Sequence, residues 1–97
     1  MANLVVSYPK HDGAKFDADY YRDTHIPLVE KHWGGCGMTG ADILWPADDE
    51  QPNAAMVVLK FADAASIDSA LGSPGTQKVL GDVANFTDIQ PSIYRTA

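Results

Sequence analysis

Residues 16–33, FDADYYRDTHIPLVEKHW, place a histidine two positions before a proline inside a run that otherwise favours helix. The ordinary titration range of histidine lies near neutrality, which makes His25 the natural general acid or base of this segment. At 100° per residue, Tyr21, His25, Leu28 and His32 share a narrow sector flanked by Thr24 and Val29, while Asp19, Asp23 and Glu30 lie opposite. The spacing predicts that His25 faces inward with Leu28. Tyr21 would then orient the imidazole or hold a substrate oxygen. The alternative is a packing histidine, hydrogen-bonded to a backbone carbonyl or to Tyr21.

Pro27 has no N–H to offer the carbonyl of Asp23, and it disfavours helical geometry at Ile26. A kink or break is therefore expected just after His25, opening space beside the ring.

Other chemistries fit the sequence poorly. His25 and His32 stand two turns apart, about 10 Å along a helix axis, whereas helical metal pairs use a spacing of three or four residues. No metal is expected. GGCGMTG contains a formal G-x-G-x-x-G at Gly35, Gly37 and Gly40, but it follows a helix and opens a strand, the reverse of a dinucleotide site. No nucleotide cofactor is expected. Cys36, the single cysteine, reads as an ordinary thiol.

The elements that must position His25 follow from pattern. NLVVSYP is a β-branched strand over about residues 3–8. Asp17 caps a helix beginning at Ala18, with Phe16 and Tyr21 at the positions of a hydrophobic staple, and Gly34 and Gly35 stop it. MTGADILWP and AAMVVLKF read as two strands of a long-looped hairpin. Asp63 caps a short helix, SPGTQKVLGD forms a further helical turn, and FTDIQPSIYRT ends in a strand that Pro91 confines to an edge or a bulge. The order β-α-β-β-α-β predicts an α+β, ferredoxin-like antiparallel sheet with both helices on one face, as one domain over residues 1–97.

In the third strand Ala55, Val57, Leu59 and Phe61 point one way and Met56 and Val58 the other, so both faces are apolar. Helices cover one face only, and a homodimer packed through the second sheet face is the expected cover. Thirteen acidic against seven basic residues give a net charge of −6 with no basic cluster, which argues against a nucleic-acid partner. No apolar run reaches the ~20 residues of a membrane span, and the first ten residues lack a signal-peptide pattern, so a cytoplasmic protein is expected. Trp33, Trp45, Phe86 and Tyr94 are candidate pocket walls for an apolar or aromatic ligand.

Two segments carry a family resemblance. FDADYYRDTHIPLVEKHWG resembles the signature of EthD-like proteins, in which a Tyr-rich helix start runs into His-x-Pro-Leu. LGSPGTQKVLGDVANFTD resembles the same family's Ser-Pro segment leading to Asp-Val-x-Asn-Phe. The resemblance implies a ferredoxin-like domain that dimerises into an α/β barrel, and it places the motif residues on Tyr20, Tyr21, His25, Pro27 and Leu28 and on Asp82, Asn85 and Phe86.

On this basis His25 and Tyr21 are the expected catalytic residues, with Thr24, Leu28, Trp33, Asp82, Asn85 and Phe86 binding substrate. The activity implied is that of a cofactor-independent small-molecule enzyme, nominally an oxidoreductase, acting on an apolar or aromatic carbonyl, lactone or polyketide-like compound. Isomerase, cyclase or lyase chemistry on the same fold is an alternative. A non-catalytic ligand carrier and a structural dimerising module are the others.

Overall fold

The computed structural model describes residues 2–96. Four strands, β1 (Ala2–Pro9), β2 (Met38–Leu44), β3 (Asn53–Phe61) and β4 (Ser92–Arg95), form one antiparallel sheet in the order β2-β3-β1-β4. This is the α+β, ferredoxin-like arrangement. Side chains alternate along β3: Ala55, Val57, Leu59 and Phe61 are buried, while Met56, Val58 and Lys60 are half-exposed. Leu4 and Tyr8 of β1 join the buried face.

The helical layer consists of α1 (Ala18–Tyr20), a π-helical turn (Tyr21–His25), α2 (Ile26–Trp33), α3 (Ala64–Leu71) and α4 (Thr76–Gly81). Asp17 starts the first of these as its N-cap, accepting from the Tyr20 amide at 3.0 Å, and Asp63 does the same for Ser66 at 2.8 Å. Val29 and Trp33 of α2, Ile67 and Ala70 of α3 and Val79 of α4 close the core over the sheet.

The helix does not break after His25. The Ile26 amide instead reaches back five residues to the Tyr21 carbonyl, and backbone angles remain right-handed helical through His25 and Ile26. One wide turn ahead of Pro27 absorbs the missing donor, as π-bulges do. The wider turn also changes the phase of every later side chain. The inward series is Tyr21, His25, Ile26, Val29 and Trp33; Leu28 is half-buried and Thr24 is exposed.

The last strand begins immediately after Pro91 and sits at a sheet edge, paired only with β1. Gly37, after α2, has φ +100°, and a Cβ there would lie 2.7 Å from the Ser66 Cβ on α3. Both the left-handed backbone and the close approach require glycine. Gly37→Ala should therefore destabilise the fold by about 2–4 kcal/mol in urea denaturation, whereas Gly35→Ala, whose Cβ meets open space, should cost about 1 kcal/mol or less.

Candidate active site

Asp82 closes α4, 57 residues beyond His25 in the chain, and its carboxylate is the hub of the site. Oδ2 lies 2.9 Å from His25 Nδ1. Oδ1 accepts from the Tyr20 hydroxyl at 2.7 Å and from the Asn85 amide nitrogen at 2.9 Å. Burial pushes the Asp82 carboxyl up, but the hydrogen bonds from Asn85, His25 and Tyr20 outweigh it and hold the group below its ordinary value. Asp82 is therefore ionised at neutral pH and can only accept.

That fixes the imidazole. Nδ1 must carry the proton it gives to Asp82, which leaves Nε2 with a free lone pair. His25 is 3 % exposed, and burial lowers its pKa below the ordinary 6.5 even though the hydrogen bond and charge of Asp82 pull the other way. Neutral His25 with a bare Nε2 is a base at physiological pH.

The ring is clamped between aromatics. Phe86 meets it at 4.6 Å between centroids and Tyr21 stacks on it at 5.5 Å and 19°. Phe16 and Tyr8 pack around Tyr21 and Phe86, and Trp45 meets Tyr21 edge-on at 6.0 Å. A bridge between Phe16 and Thr87 and a 2.7 Å hydrogen bond from the Asp17 amide to the Phe86 carbonyl tie the helix start to the segment carrying Phe86.

His25 borders a cavity of about 80 Å³ between the helices and the inner face of the sheet. Tyr8, Tyr21, Ile26, Val29, Trp33 and Val57 are among its walls, and Leu80 and Ile93, 52 % and 51 % exposed, stand at its mouth. An apolar cavity near ~150 Å³ accepts benzene. The cavity as it stands is about half that volume.

Of the residues expected to form the site, His25, Tyr21 and Trp33 line the cavity. The Trp33 indole N–H is spent on Thr76 Oγ1 at 3.1 Å, so its ring acts as a wall. Asp82 and Asn85 lie behind the histidine and act on it; Phe86 packs on its ring. Thr24 and Leu28, expected beside the ligand, are not among the lining residues, because the π turn rotates Ile26 and Val29 into that position. Tyr94 faces away from the cavity: it pairs with Val5 on the opposite sheet face and is 70 % exposed. His32 packs under Gly75, where a Cβ would lie 2.7 Å from its Nδ1, and does not reach the cavity. Among the described residues no cluster of His, Cys, Asp and Glu is arranged to hold a metal ion, and no helix is long and apolar enough to cross a membrane.

Sequence reasoning missed Tyr8 and the mouth residues. Tyr8 had a signal in the two-residue alternation Leu4, Val6, Tyr8 along β1. Leu80 and Ile93 had none, since they border one cavity only through the tertiary packing of segments distant in sequence.

Comparison with known proteins bears on this geometry. The EthD domain profile matches residues 12–90. The fold superposes on an EthD-like protein from Ralstonia eutropha at 30% identity and TM-score 0.80, covering 98% of this chain and 88% of that one. SnoaB, a cofactor-independent oxygenase from Streptomyces nogalater, shares the fold at 13% identity and TM-score 0.66, over 99% and 91% of the two chains. A dimeric ferredoxin-like protein from Jannaschia does so at 18% and 0.66, over 99% and 96%. No curated protein matches the sequence.

The His25–Asp82 pair sets a pH dependence. The pKa of folded His25 lies below its unfolded value, so the unfolded chain takes up the proton first as pH falls through about 6.5, and stability should decline from there until the folded value is passed. His25→Gln should flatten that part of a urea-denaturation profile between pH 7 and 5. Asp82→Asn removes the charge that supports the imidazolium, so the His25 NMR titration should move to still lower pH.

Proposed function

The chain belongs to the EthD domain family, and from that premise we propose that it is a cofactor-independent, cytoplasmic enzyme acting on a small apolar or aromatic carbonyl, lactone or polyketide-like compound. His25 takes a proton from the ligand. The observation that carries this reading is the 2.9 Å contact of His25 Nδ1 with Asp82, which leaves Nε2 free to act as a base, in a side chain that borders an apolar cavity. A carboxylate that fixes the tautomer and steadies the imidazolium is the support a histidine base needs.

Abstraction of an acidic C–H or phenolic proton by Nε2 leaves an enolate or phenolate. Reprotonation elsewhere makes the protein an isomerase. Addition of molecular oxygen to the same electron-rich intermediate makes it an oxygenase and gives the oxidoreductase label its meaning. A ligand carrier is the second reading, favoured by a wall that is almost wholly apolar. It predicts binding without exchange.

We further propose that the active form is a homodimer packed through the open sheet face. Val5 stands between Val58 and Tyr94 in the cross-strand register, and Leu44 pairs with Met56 beside them. This apolar patch, with Asp42 beside Val58 and Ser7 beside Met56, faces solvent in one chain, which is the situation that face-to-face sheet packing relieves.

Deuterium uptake from D2O at the acidic carbon of a panel of aryl ketones and lactones tests the chemistry. Wild-type protein should accelerate it for at least one compound, and His25→Ala should lose about 10²–10⁴-fold of that rate; equal rates in the two proteins would refute the role of His25. For the assembly, sedimentation at micromolar concentration should give a dimer, and Val58→Lys should shift it to monomer.

A further inference from the structure

The cavity wall carries three polar side chains besides the Trp33 indole: His25, Tyr8 and Tyr21. Tyr21 is completely buried, and its hydroxyl has no hydrogen-bond partner. An orphaned buried hydroxyl costs about 1–3 kcal/mol and is rare in native proteins. It points to a partner that arrives with a ligand. Tyr8, 2 % exposed at the end of β1, meets the Tyr21 ring edge-on at 5.5 Å, and its hydroxyl lies near enough to influence that of Tyr21.

We propose that Tyr8 and Tyr21 form a two-hydroxyl site that donates to the ligand's oxygen, so that the cavity selects small apolar compounds bearing a carbonyl next to an acidic C–H. The inference deepens the reading of His25 as base and rests on it. Tyr21 also stacks on His25, and both residues border the same cavity. In the step assigned to the site, the ligand C–H bond breaks, the proton passes to His25 Nε2, and the electron pair moves onto the carbonyl oxygen. The two phenols stabilise that oxyanion as donors without losing their own protons. His25 returns the proton to carbon, so the step is redox-neutral.

The phenols suit this role because neither ionises at working pH. Burial pushes Tyr8 up to about 12 and Tyr21 higher, the Tyr8 hydroxyl adding to the shift at Tyr21.

The test uses two probes: 4-nitrophenol, which presents an oxyanion on an apolar ring, and toluene, which presents the ring alone. Tyr8→Phe and Tyr21→Phe should each weaken 4-nitrophenol binding about tenfold and leave toluene binding unchanged. Because the Tyr21 hydroxyl has no well-formed hydrogen bond and only the Tyr8 hydroxyl close by, Tyr21→Phe should leave the melting temperature close to that of wild type. The proposal is overturned if 4-nitrophenol binds both variants as it binds wild type. Equal loss of both probes together with a lowered melting temperature overturns it too, since that marks a structural role, as does wild-type protein that binds neither probe. Deuterium exchange that needs His25 but not the two hydroxyls removes this proposal alone. Hydroxyl-dependent binding of 4-nitrophenol without any exchange removes the catalytic reading and leaves the oxygen site standing.

Discussion

An ionised carboxylate with little access to water must find donors, and Asp82 finds three, two of them from the helical run that begins at Ala18. Tyr20 and His25 come from that run and Asn85 from the turn after α4, so one side chain joins the two helical halves of the molecule. Geometry and protonation are settled together: the same contact that orients the imidazole also fixes which nitrogen holds the proton. Burial disfavours the charged imidazolium while Asp82 favours it, and burial wins at rest. The result is a neutral base whose conjugate acid already has a counter-ion in place. That balance is what the proposed role of His25 as a base calls for.

The π-helical turn makes the arrangement possible. In a regular helix carrying Pro27, a hydrogen bond is lost and the bulk of the chain bends. Widening one turn lets residues 18–33 continue as a helix and distributes adjacent tyrosines to different tasks. Tyr20 reaches Asp82, while Tyr21 enters the aromatic cluster and lies flat against His25. The apolar mass of Phe16, Tyr8 and Phe86 then keeps water from the back of the ring. What remains open is the side bordered by the cavity.

Much of the fold was legible in the residues. Strict alternation in β3, the capping aspartates at 17 and 63 and the confinement of the last strand by Pro91 each correspond to a local rule with no strong competitor. The helical path expected to stop at Gly34 and Gly35 instead runs on as a 3-10 turn to Cys36 and is ended by the left-handed Gly37. Inward placement of His25 and Tyr21 was legible because a step of four residues returns the chain to nearly the same face in an α turn and in a π turn alike. Leu28 and Thr24 lie across or within the π turn, and the 100° projection fails there, since a single sequence shows that a proline disturbs a helix but not how the helix absorbs it. The pairing of His25 with Asp82 was illegible in spacing: the residues are 57 apart, and only the way α4 docks beside the π turn brings them within hydrogen-bond reach. Tyr8 was readable as an inward residue, though its nearness to Tyr21 was not.

The most direct measurement is the nitrogen tautomer state of His25 at pH 7, read from long-range ¹H–¹⁵N NMR correlations before and after adding 4-nitrophenol. The account predicts a neutral ring protonated at Nδ1, with the Nε2 resonance moving when the ligand enters. A ring protonated at Nε2, or an Nε2 resonance blind to a ligand that demonstrably binds, would contradict it and leave His25 as a packing residue.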